Sequence, residues 1–153
     1  MRLLFVTQTL DADDPVLGFV ADWVKEFAGR FGEVTVIANK VGSVADDLDV
    51  RLVSLGAEDG VGRIARGMRY QRVLRDAIRG RGVDAFVAHM CPVYLNLPWP
   101  QLRVRGVPTM LWFAHPSVTP TLRLADRLTG AIQTSLPGAI RSRGRRFASS
   151  GRP

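Results

Sequence analysis

The side chains with the most chemical reach in this sequence stand at the ends of apolar runs. His115 closes PTMLWFA and is followed by Pro116, so the chain must turn outward there. An imidazole in that place can hydrogen-bond a sugar hydroxyl or orient a leaving phosphate. It can equally close the strand by bonding backbone, and the residues leave those two readings level. His89 occupies the matching place after VDAFVA, but it adjoins Met90 and Cys91 and reads as structural. The spacings of His89, Cys91 and His115 match no compact zinc pattern, so no metal is expected.

Gly18 follows the polar loop TLDADDPVL and stands near the start of a helix. A glycine there lets backbone amides approach a phosphate, and the helix N-terminus favours the anion. The plain alternative is that Gly18 relieves crowding in the first turn. Asp11, Asp13 and Asp14 would repel a phosphate. Asp13 and Asp14 are candidates for binding sugar hydroxyls or a cation, against the simpler reading of a solvated loop with one capping aspartate. Neither G-x-G-x-x-G after the first strand nor G-x-x-x-x-G-K-[ST] occurs, which argues against dinucleotide and P-loop chemistry. No cofactor is expected. Tyr94, Trp99 and Trp112 suit core or rim packing and also stacking on a sugar face.

The elements that must position these residues alternate. RLLFVTQ, EVTVIAN and VRLVSLG read as strands, the first as a run buried on both faces. Between the first two, Val16, Phe19, Val20, Trp23, Val24 and Phe27 recur at helical spacing until Gly29 and Gly32. Residues 62–82 predict a helix with Ile64, Ala65, Met68, Leu74, Ala77 and Ile78 on its core face, stopped by Gly80 and Gly82. Arg63, Arg66, Arg69 and Arg72 form a stripe on another face, read as solvated, with contact to an anionic membrane as the alternative. DAFVAHM, VPTMLWFAH and AIQTS predict three more strands, with a proline-punctuated loop and irregular helix over 91–106 and a helix over 119–130. This alternation predicts an α/β, Rossmann-like three-layer sandwich with a mostly parallel sheet. Ligands in such a sheet bind at the carboxyl ends of the strands, which selects the loops carrying Gly18, Cys91 and His115.

Composition narrows the class. The chain has 153 residues, 46% of them hydrophobic, enough for one folded domain without staples. Its single cysteine excludes a disulfide framework. The first apolar stretch carries no signal-peptide cleavage pattern, so a cytoplasmic location is expected, with the inner membrane face as a peripheral alternative. The net charge of +7 is uneven. Arginines 141, 143, 145, 146 and 152 leave 16 basic against 14 acidic groups in residues 1–140. Residues 141–153 therefore predict a basic flexible tail, and no specific nucleic-acid partner is expected.

With RLLFVTQ, VLGFVADWVKEFA, VTVIAN, AHMCPVYLNLPWP, LWFAHPSV, LADR and TSLPGAI in view, residues 1–140 resemble the N-terminal domain of family-4 (group 1) GT-B glycosyltransferases. The resemblance implies an acceptor-side domain facing a donor-binding domain across a cleft. The implied reaction transfers a sugar, with retention, from a nucleotide-diphosphate sugar to an acceptor. It implies that Gly18 lies in the glycine-containing first loop and that His115 contacts the transferred sugar. Leu17 departs from the pattern where many members have a second glycine. The E-x7-E pair of the donor-binding domain is absent, since the only glutamates are Glu26, Glu33 and Glu58. The expectation is half an enzyme, inactive alone, with donor and acceptor bound only in a complete enzyme and a donor-binding domain possible in trans. The alternative is a non-catalytic module of the same fold that holds an acceptor or a partner protein.

Overall fold

The computed structural model describes residues 1–80, 82–115 and 119–133. The chain divides into two compact units, Met1–Ala85 and a second beginning at Phe86. Each is built on three parallel strands, and the expected α/β, Rossmann-like class is what forms.

In the first unit β1 (Arg2–Leu10) pairs with β2 (Glu33–Val41), Phe5 opposite Val36, and β2 pairs with β3 (Arg51–Ser54), Ile37 opposite Val53. Residues 3–7 of β1 and 34–38 of β2 are all buried, the mark of parallel strands covered on both faces. The helix α1 (Phe19–Arg30) buries Val20 and Val24. It also sets Phe27 edge-on to Phe5, with ring centroids 5.4 Å apart. It starts later than the apolar spacing predicts, because residues 14–18 form a separate turn. Val16 therefore stays 73% exposed. Asp84 accepts from the Arg2 amide at 2.8 Å and pairs with its guanidinium at 3.1 Å, fixing the start of β1. Both partners are well exposed, so the pair sets geometry more than stability.

The second helix, α2 (Arg63–Arg79), buries Tyr70, Leu74 and Ile78, three positions four residues apart. This corrects the expected core face. Leu74 and Ile78 are on it, but Ile64 and Met68 are 80% and 62% exposed. The reason is angular: they lie about 120° and 160° around the helix from Tyr70, so the face that buries the tyrosine turns them outward. At the far end Gly82 adopts φ +82°, a left-handed conformation that costs glycine little.

The second unit pairs β4 (Ala85–His89) with β5 (Thr109–Trp112), and β5 with β6 (Ala131–Gln133), Leu111 opposite Ile132. The proline-rich segment resolves into α3 (Pro92–Asn96) and α4 (Trp99–Val104), with a proline in the first turn of each. The helix α5 (Pro120–Leu128) is capped by Thr119, whose hydroxyl accepts from the Leu122 amide at 3.2 Å. Asn96 Nδ2 donates to the Thr121 carbonyl at 2.9 Å and Trp99 Nε1 to that of Leu128, tying α3 and α4 to α5. The rest of the expected sixth strand, the TSLPGAI segment, the expected basic tail 141–153 and residues 116–118 lie outside the described residues. No helix among the described residues is long and apolar enough to cross a membrane.

The two faces of α2 make opposite forecasts. Leu74→Ala should cost about 2–5 kcal/mol, because it removes buried methyl groups and leaves a cavity. Met68→Ala should cost under about 0.5 kcal/mol, as exposed substitutions usually do. Urea midpoints of the two variants check this, and equal losses would refute the assigned face.

Candidate functional site

The loop after β1 is organised by its own aspartates. Asp11 Oδ1 accepts from the amides of Asp13 at 3.1 Å and Ser43 at 3.0 Å, while the Ala12 amide donates to the Ser43 carbonyl at 2.8 Å. Asp14 Oδ1 accepts from Leu17 at 2.8 Å and Val16 at 2.9 Å. Those two amides hold its carboxyl below the ordinary aspartate range. Asp14 is thus the capping aspartate of the turn before α1, and Asp13 stands exposed beside it. Gly18 donates its amide to the Asp14 carbonyl at 2.9 Å and serves as the N-cap of α1. A Cβ on Gly18 would lie 2.8 Å from the Asp14 carbonyl oxygen and 2.9 Å from that of Ala12. Its φ of −54° is ordinary helix, so close approach, not unusual backbone, demands the glycine.

In the second unit the carboxyl ends of β4 and β5 stand side by side, with His89 opposite Trp112. Their rings stack at 4.8 Å with planes 31° apart. His89 is fully buried, and burial pushes its pKa down to about 4, so it is neutral near pH 7. Met90 follows with φ +57°, a left-handed conformation uncommon outside glycine, and its amide donates to the Trp112 carbonyl at 2.8 Å. Its sulfur accepts from the Ala114 amide at 3.3 Å, which ties the turn after β4 to the one after β5. Cys91 is buried and its thiol is pushed far up by that burial, so it is no thiolate nucleophile.

His115 lies three residues beyond the end of β5, exposed, with its ring edge-on to Phe113 at 6.4 Å. It is an accessible imidazole at a carboxyl strand end. Gly18, Asp13 and Asp14 belong to the first unit and His115 to the second. Among the described residues no group of three His, Cys, Asp or Glu side chains could hold a metal.

Two features were not foreseen from the sequence. One is the Met90 turn, marked only by Cys91-Pro92 after an apolar run. The other is a polar network beyond β2 and β3. There Glu58 accepts from Ser54 Oγ and from the Val41 amide at 3.3 Å, and Arg66 donates to Asn39 Oδ1 at 2.8 Å. Val41 and Glu58 are 17 residues apart and Asn39 and Arg66 are 27 apart, so no local spacing announces these two bonds.

Two outcomes test this geometry. Gly18→Ala should destabilise the fold by about 1–3 kcal/mol, because its methyl meets backbone rather than a flexible side chain; an unchanged melt would contradict the packing reason. For His89, an unfolded imidazole titrates at about 6.5. Its folded value is lowered, so the unfolded chain binds more protons in between. Stability is complete above about pH 6.5 and falls as the pH drops toward 4, by at most about 3 kcal/mol. His89→Gln should flatten urea stability between about pH 6.5 and about pH 5, and the same slope in the variant would show that another group titrates.

No family model and no curated protein matches the chain. Solved structures do. MurG of Acinetobacter baumannii superposes with a TM-score of 0.59 at 9% identity, over 93% of this chain and 43% of MurG. Apo UGT2 of Phytolacca americana gives 0.53 at 13% identity, over 92% and 48%. The same UGT2 complexed with UDP-2fluoro-glucose and pterostilbene gives 0.52 at 13% identity, over 92% and 49%. The chain spans less than half the length of each. Both proteins are GT-B glycosyltransferases, and the fold this chain shares with them is the Rossmann-like fold of part of a GT-B enzyme.

Proposed function

We propose that this chain is the N-terminal, acceptor-side half of a GT-B glycosyltransferase of the family-4 kind. The complete enzyme would transfer a sugar, with retention, from a nucleotide-diphosphate sugar to an acceptor. The observation that carries this reading is coverage: over nine-tenths of the chain follows the fold of two glycosyltransferases, within less than half of each. His115 is the residue assigned to the transferred sugar, supported by its exposed position beyond a carboxyl strand end. In this reading residues 1–140 form the acceptor-side domain and 141–153 a basic tail. A donor-binding domain, covalent or in trans, supplies the nucleotide contacts.

A second reading, a non-catalytic module holding an acceptor or partner protein, is favoured by one observation. The carboxylate of Asp14 already occupies the Val16 and Leu17 amides that a donor phosphate would need. Leu17 itself stands where many relatives of this kind carry glycine.

The 153-residue chain alone should transfer no sugar, because catalysis needs donor and acceptor held together in reacting geometry. Calorimetry with nucleotide diphosphates should find binding no tighter than about millimolar, worth roughly 4 kcal/mol. Adding the matching donor-binding domain should restore turnover, and His115→Ala should then reduce kcat strongly while leaving the melt of the isolated chain unchanged. Turnover by the chain alone overturns the half-enzyme reading. Unimpaired turnover by His115→Ala in the restored enzyme overturns the role of the histidine.

A further inference from the structure

We propose that the groove at the amino ends of β5 and β6 is a second ligand site, which takes a small phosphomonoester carrying a flat ring, the chemistry of a nucleoside monophosphate. The site goes beyond sugar transfer. It lies at the strand ends opposite His115 and stands whichever reading of that histidine is right.

The groove measures about 500 Å³, within the roughly 300–1,000 Å³ of small-molecule sites. It lies wholly in the second unit, beside the last turns of α4 and α5. Arg103 and Arg127 line it, both exposed, and no acid does. Neither arginine is ion-paired among the described residues, whereas Arg2 holds Asp84 and Arg30 holds Glu26. A smaller groove of about 210 Å³ in the first unit differs in this respect, because Glu33 and Asp76 line it beside Arg2 and Arg51.

A cation in the last turn suits its own helix end, which would account for each arginine singly. The surrounding carbonyls show more than that. The Arg103 carbonyl accepts from the Gly106 amide at 3.1 Å, that of Leu128 from Trp99 Nε1, and that of Thr109 from Thr129 Oγ1 at 3.0 Å. These oxygens, which would repel an anion, are already covered, while the guanidinium groups are not paired. Thr109 Oγ1 accepts from the Gly130 amide at 3.2 Å, and its own proton has only the Thr129 hydroxyl, 3.5 Å away, as a partner. That proton is available to a ligand oxygen.

Two guanidinium groups match a dianion, which a phosphomonoester is near pH 7. Trp99 supplies the other half of the recognition. Its indole nitrogen is taken by Leu128, so it offers a ligand ring carbon, on which a flat ring stacks. A nucleotide-diphosphate sugar does not meet this demand, because both of its phosphates are esterified on two sides and carry one charge each.

The test follows amide chemical shifts of the full chain as adenosine 5′-monophosphate, inorganic phosphate, adenosine or UDP-glucose is added. The monophosphate should shift Gly106, Thr109 and Gly130 with a dissociation constant of about a millimolar. Inorganic phosphate, which cannot stack, should bind about tenfold more weakly. Adenosine and UDP-glucose should leave those three amides in place. Arg103→Gln and Arg127→Gln should each weaken the monophosphate about tenfold, as loss of a charged hydrogen bond does. Both arginines are exposed, and a thermal melt verifies that each variant stays folded. The absence of shifts at these amides overturns the proposal, as does undiminished binding by the arginine variants. Equal affinity for phosphate and the monophosphate, or the same shifts with UDP-glucose, overturns it as well.

Discussion

The demand that shapes this chain is double-sided burial of parallel strands. Five consecutive residues of β1 and five of β2 are removed from water, so neither strand has a wet face on which to display a working side chain. Chemistry is thereby pushed to the strand ends, where the backbone leaves the sheet and polar groups reach solvent. The second unit shows the contrast at the ends of two neighbouring strands. His89 is still inside, stacked on Trp112 and neutral, while His115 has left the strand and stands open. Two histidines of identical intrinsic chemistry are separated by where their strands stop.

At these ends, stability and binding compete for the same groups. The loop after β1 offers the amides that a phosphate would use, yet Asp14 takes two of them and pulls the loop onto Gly18. A phosphate entering there must displace a carboxylate that those amides hold ionised. Sugar hydroxyls make a lesser demand, because Asp13 remains exposed and able to accept from them.

Much of this was legible in residue order, for definite reasons. Strands such as EVTVIAN announce themselves because two-sided burial needs an unbroken apolar run, and α2 ends at Gly80, ahead of the left-handed Gly82. Periodicity misled where it was asked for more than it contains. Ile64 and Met68 fit a helical stripe, but which stripe faces inward is decided by Tyr70, the larger side chain, and no local rule ranks the two. Val16 fits the α1 stripe as well, but the Asp14 turn interrupts the helix before it reaches that residue. At the strand ends, the sequence places His115 and Gly18 correctly in the turns. It gives no sign of the Met90 conformation or of the Val41–Glu58 bond, since both depend on partners distant along the chain.

In the proposed half-enzyme the transferred sugar meets this chain at His115, beyond a carboxyl strand end. Amide chemical-shift mapping of the labelled chain with UDP-2fluoro-glucose, in the presence of the donor-binding domain, tests that most directly. The proposal predicts that the shifted amides fall around His115, at residues 113–115. Shifts centred on the amino ends of the strands, around Thr109, Thr129 and Gly130, or no shifts at all, would contradict it.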